Sequence, residues 1–96
     1  MHNRETRKVT DNDGRVLATA EYVDGVLDGV SRVYLPSGTL VEEMHFSAGE
    51  MHGAYRSWWD NHVLKEQGNY ADGKRVGEYL WFKDDGTLWT SHVYPE

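Results

Sequence analysis

The sequence predicts an all-β chain, a single-layer twisted antiparallel β-meander of seven or eight strands. Three observations lead there. First, the sequence repeats every 24 residues, and a fixed period of this length is the mark of stacked supersecondary units. Gly25, Gly49 and Gly73 form one column, and Gly29, Gly53 and Gly77 a second. Tyr22, Phe46, Tyr70 and Tyr94 form a third, Tyr34, Trp58 and Phe82 a fourth, and Leu40, Leu64 and Leu88 a fifth. Second, the segments between the glycines are rich in β-branched and aromatic residues and are bounded by turn formers, a strand signature. Third, no segment reaches the length of a helix.

The elements follow in order. RKVT (7–10) and RVLATAEY (15–22) flank a turn at Asn12, Asp13 and Gly14. They read as a degenerate first unit over 4–21, short of large residues, ahead of units 22–45, 46–69 and 70–94. The first segment of each full unit is VSRVYL (30–35), AYRSWW (54–59) or EYLWFK (78–83). The second is TLVEEMHF (39–46), VLKEQGNY (63–70) or TLWTSHVY (87–94). The linkers PSG, DNH and DDG suit tight turns, with His62 standing where Gly14, Gly38 and Gly86 stand in the other units. The paired glycines mark the other turn, where the backbone is left-handed or crowded. Each unit is therefore a hairpin, and successive hairpins advance by two strand spacings, about 9–10 Å.

Composition narrows the function classes. With 39% apolar residues in 96, the chain cannot build a thick core, so burial falls to its aromatics, four tryptophans among them. There is no cysteine, which rules out disulfides and thiolate-bound zinc. No apolar run spans a membrane, and no apolar segment follows the basic residues near the N-terminus as a signal peptide requires. A cytoplasmic location is the expectation. The net charge is −6, of which −5 lies in residues 16–55. Such an acidic middle opposes binding of nucleic acid or anionic lipid and suits a basic protein surface.

The glycine pairs carry a resemblance to a known family. Gly73-Lys74-Arg75-Val76-Gly77 and Gly49-Glu50-Met51-His52-Gly53 resemble the core of MORN repeats. The lead-in Tyr70-Ala71-Asp72-Gly73 and the 24-residue interval are closer to the MORN-variant repeat of bacterial proteins. The resemblance covers residues 12–94 and departs from the pattern at His62, Gly68 and the first unit. It implies hairpins stacked into one sheet that serves as a scaffold or binding surface, with no catalytic residue in the repeat. It also implies a bacterial antitoxin or immunity role for some members, and a lipid-associated scaffold for others.

Strand alternation sorts the side chains into two faces. Tyr34, Trp58 and Phe82 share a parity with Arg32, Arg56 and Leu80, and Leu40, Leu64 and Leu88 share one with Phe46, Tyr70 and Tyr94. If the turn brings these sets together, they make a structural face of stacked like residues. Glu42 and Glu66 read as a solvated strip pairing with Arg32 and Arg56. The opposite face carries Tyr55, Trp59, Tyr79, Trp81 and Trp89, at positions the repeat does not require to be aromatic. These five are the candidate partner-binding residues, because tryptophan and tyrosine dominate binding hot spots. The expected partner is a protein, a basic toxin most concretely, with burial of this face in a homodimer as the alternative.

No catalytic, cofactor-binding or metal-binding residue is assigned. His45 and His92 point to opposite faces by parity, and His52 and His62 sit in turns. No histidine pair has the spacing of a metal site, and no phosphate loop of the G-x-x-x-x-G-K-[ST] kind occurs. The chain reads as a non-enzyme. An architectural homo-oligomer, a lipid-associated scaffold and a phage-type acidic inhibitor are the alternatives to the antitoxin reading.

Overall fold

A computed structural model describes residues 2–96. Eight strands follow one another: β1 (Arg4–Thr10), β2 (Val16–Val23), β3 (Val26–Tyr34), β4 (Leu40–Ser47), β5 (Glu50–Trp58), β6 (Leu64–Ala71), β7 (Lys74–Phe82) and β8 (Leu88–Tyr94). They pair antiparallel in chain order within one sheet. The molecule measures 42 × 37 × 14 Å, and the short axis leaves room for one layer. This is the all-β meander that the repeat implies.

At one end of the sheet the hairpins close in two residues. Asp24-Gly25, Ala48-Gly49 and Asp72-Gly73 all take positive φ, from 49° to 89°. Two consecutive left-handed residues make the turn whose twist matches the flanking strands. Asp24 donates its N–H to the carbonyl of Asn3, Gly49 to Leu27 and Gly73 to Met51, so each turn is stitched to the preceding hairpin. At the other end Leu35 N–H donates to Thr39 and Gly38 N–H to Leu35, and the same pair recurs one and two repeats on. The fourth residue of that loop is left-handed: Gly38 at φ 92°, Gly86 at 90°, and His62 at 71°. A side chain there costs about 1–2 kcal/mol relative to glycine. His62→Gly is therefore expected to stabilise the fold by about 1 kcal/mol, read as a higher urea midpoint with an unchanged slope. An unchanged or lower midpoint would contradict this.

The second glycine of each pair does not lie in a turn, as the sequence suggested, but inside β3, β5 or β7. Gly29 faces Phe46, Gly53 faces Tyr70 and Gly77 faces Tyr94 across the ladder. All three take positive φ, and a Cβ would meet the Glu21 side chain at Gly29 and the His45 side chain at Gly53. Register also shifts here on the other flank of the strand, between Ala20 and Tyr22 and between Met44 and Phe46. Side chains satisfy the freed backbone groups. Val30 N–H donates to Glu21 Oε1 at 2.8 Å, and the His45 ring lies 2.9 Å from the Ala54 carbonyl.

A second irregularity changes the faces. Val33 pairs with Glu42 but Tyr34 with Leu40, so Val41 is an extra residue in β4. The same shift leaves Lys65 unpaired in β6, Trp89 in β8 and Leu17 in β2. A one-residue bulge reverses parity for the rest of the strand. Leu40, Leu64 and Leu88 thus lie beside Tyr34, Trp58 and Phe82, as expected. Phe46, Tyr70 and Tyr94 are sent to the opposite face, which corrects the simple alternation. Glu42 and Glu66 go with them. Arg32 consequently pairs with Glu43, at 2.9 Å, and not with Glu42.

A candidate protein-binding face

The face carrying the phenylalanine and tyrosine column is described by rows that cross the strands. One row runs Val9, Ala18, Val33, Glu42, Ser57, Glu66, Trp81, Thr90. The next passes through Met44, Tyr55, Gly68, Tyr79 and His92. Beyond it lie Phe46, Met51, Tyr70 and Arg75. At the β2–β3 end Ala18, Ala20 and Ser31 sit on this face beside Tyr22 and Leu27, and large aromatics crowd the β5–β8 end.

Tyr79 is the centre of the large end. It is 0% exposed, the only fully buried large side chain among the described residues. A one-layer sheet buries it because its neighbours lean over it. Its ring centroid lies 4.6 Å from Trp81, 6.1 Å from Tyr94 and 6.4 Å from both Tyr55 and Tyr70. The Arg75 guanidinium lies 4.6 Å above the ring and donates to the hydroxyls of Tyr70 (3.2 Å) and Tyr94 (3.1 Å). Beneath the ring sits Gly68, where a Cβ would collide with Cδ2 and Cε2 of Tyr79. The glycine that departs from the repeat is what lets the tyrosine lie flat on the sheet.

Of the five residues picked from sequence, Tyr55, Tyr79 and Trp81 meet in this cluster. Tyr79 packs there as core, without the exposure expected of it from the sequence. Trp59 and Trp89 lie nearer the loop end and line a cleft of about 350 Å³ with Lys83 and Asp84. Trp59 is anchored: its indole N–H donates to the Phe82 carbonyl at 3.2 Å, and Lys65 Nζ lies 4.6 Å from its ring. Trp89, at the bulge of the edge strand, is 68% exposed. Sequence reasoning missed Tyr70, Tyr94, Arg75 and the two carboxylates of this face. The signal for them was the adjacent apolar pair at 40–41 and again at 88–89, which breaks alternation where the bulge falls.

Residues 27–48 and 51–72 match the family of the MORN repeat variant. This chain is a MORN-variant repeat protein. Each matched segment is one hairpin with its loop, β3–β4 and β5–β6. Neither the curated proteins nor the solved structures yielded a match. MORN repeats are protein- or membrane-binding modules, and the family is a non-enzymatic one. Within the MORN-variant frame, β7–β8 repeats the geometry of the two matched hairpins, with the same turn and the same bulge.

Two tyrosine hydroxyls of this face are held protonated well above the ordinary phenol range. Tyr55 is pushed up by burial and by its 2.7 Å bond to Glu42. Tyr79 is pushed up by burial and by the Glu66 charge. Unfolded tyrosine ionises near pH 10. A raised folded value means the stabilisation is complete below that pH and is lost as pH rises above it. The β-sheet signal is therefore expected to hold to about pH 10 and then fall, with Tyr55 and Tyr79 ionising only as it falls. Absorbance at 295 nm recorded alongside circular dichroism checks this. Reversible ionisation of all six tyrosines with the sheet intact would contradict it.

Proposed function

We propose that this chain is a non-enzymatic module that binds one protein partner through the tryptophan-bearing face. Most concretely, it is an immunity protein or antitoxin that neutralises a basic toxin. The observation that carries the reading is the cleft between Trp59 and Trp89. It is rimmed by Lys83 and Asp84 and lies at positions the repeat fills elsewhere with Leu35, Val41, Lys65 or Lys83. Exposed tryptophan that the fold does not require fits a binding hot spot. The acidic charge favours a basic partner and speeds the encounter. Trp59→Ala and Trp89→Ala are each expected to weaken an isolated, purified partner by about 30-fold or more, the size of a hot-spot residue. Calorimetry with that partner, and suppression of its activity at equimolar chain, test the reading. Unchanged affinity in both variants, or an acidic partner, would overturn it.

A second reading is self-association through β8. Leu88, Trp89 and Val93 are 54%, 68% and 71% exposed on this edge, which carries no lysine, arginine or carboxylate. The opposite edge, β1, is RETRKVT and is protected by its charges. Light scattering decides between them: a stable dimer lost on Val93→Lys favours the edge.

A further inference from the structure

We infer that Glu42, Ser57, Glu66 and Trp81 form a receptor for a guanidinium group, an arginine side chain presented by the partner protein. This rests on the protein-binding reading above and names the chemistry of its contact.

The four residues lie in one row across β4, β5, β6 and β7. Each carboxylate is held by a neighbouring hydroxyl: Tyr55 donates to Glu42 Oε2 at 2.7 Å, and Ser57 to Glu66 Oε2 at 2.8 Å. Ser57 is only 5% exposed, so the Glu66 side chain is tied to the floor of the face. Neither carboxylate has an ion-pair partner among the described residues, although Glu43, on the other face, has Arg32.

A second observation is independent of the charges. Tyr79 stands one repeat beyond Tyr55, and Glu66 one repeat beyond Glu42. Ring planes of the two tyrosines differ by only 25°. By the repeat, the Tyr79 hydroxyl should be bonded as Tyr55 is. Instead Glu66 takes the Ser57 hydroxyl, and Tyr79 Oη is buried with no hydrogen-bond partner. Such an orphan is costly unless something supplies the missing bond.

The ligand class follows from shape. Among the described residues no group of three or more histidine or acidic side chains is placed to hold a metal ion. The two carboxylates spring from strands about 9–10 Å apart, far wider than bonds to calcium or magnesium allow. An ammonium is a compact point charge suited to one carboxylate. A guanidinium is a planar fork of five N–H donors that also stacks on an aromatic ring, and Trp81 is paired with Glu66 in the ladder.

The test is titration of the isotopically labelled chain with the peptide acetyl-Gly-Arg-Gly-amide, followed by amide and indole NMR shifts. Citrulline and lysine versions of the peptide are the comparisons. Saturable shifts at Ser57, Glu66 and the Trp81 indole are expected, absent with citrulline and weaker with lysine. Glu66→Gln and Glu42→Gln keep an oxygen for the hydroxyl they accept from, so the fold should persist while affinity falls about tenfold each. Glu43→Gln, on the other face, should leave it unchanged. Equal shifts with citrulline, or shifts that both face variants leave intact, would overturn the receptor. If the arginine peptide fails while Trp59→Ala and Trp89→Ala still abolish partner binding, the receptor falls and the protein-binding reading stands.

Discussion

Tyr79→Ala is expected to cost the fold about 3–5 kcal/mol, the range for emptying a buried aromatic site. For a small domain that is a large part of the total stability. The reason lies in how this sheet makes a core. It has one layer, so no second sheet or helix covers it. Among the described residues Tyr79 alone of the large side chains is fully buried, and Tyr55, Tyr70, Trp81, Tyr94 and Arg75 are held in place by leaning on it. Removing the ring leaves a void in the middle of that group and exposes aromatic edges from four strands to water. Chemical denaturation reads the loss as a lower midpoint. A cost under about 1 kcal/mol, typical of a surface site, would mean the cluster does not carry the fold.

Gly68→Ala comes next, with an expected loss of about 3 kcal/mol, at the upper end of overpacking costs. The backbone at Gly68 is not left-handed, so conformation does not demand glycine here. Space does. A Cβ would fall 2.8 Å from Tyr79 Cγ and closer still to Cδ2 and Cε2. The ring cannot retreat, because Arg75 and Trp81 lie on its other sides. The two substitutions are therefore coupled. In a Tyr79→Ala background the new methyl has room, and the cost of Gly68→Ala should shrink to a few tenths of a kcal/mol. Additive losses in the double variant would show that Gly68 acts through something other than the ring.

Much of this architecture was legible in the residues. The 24-residue columns specify stacked hairpins, and glycine before each paired aromatic specifies where the backbone must give way. His62 announced itself as a substitute for glycine, and it takes the left-handed conformation that position requires. What alternation could not reveal was the bulge at Val41, Lys65 and Trp89. One extra residue per hairpin carries Phe46, Tyr70 and Tyr94, with Glu42 and Glu66, to the face opposite the one parity assigns. Tyr55 and Trp81 lie in β5 and β7, which carry no such extra residue, so parity placed them together correctly. Tyr79 shares that parity but not the exposure expected of it. Its burial depends on Gly68, a residue in another strand whose lack of a side chain reads locally as a flaw in the repeat. Packing between strands decides such a position, and no local pattern within β7 records it.

The most direct test is a nuclear Overhauser spectrum of the aromatic rings. Cross-peaks from the Tyr79 ring to Tyr55, Tyr70, Trp81 and Tyr94 are expected, with ring centroids 4.6–6.4 Å apart. Cross-peaks placing Tyr70 and Tyr94 against Phe82 and Leu88 instead would return them to the other side of the sheet. The aromatic face proposed for partner binding would then not exist.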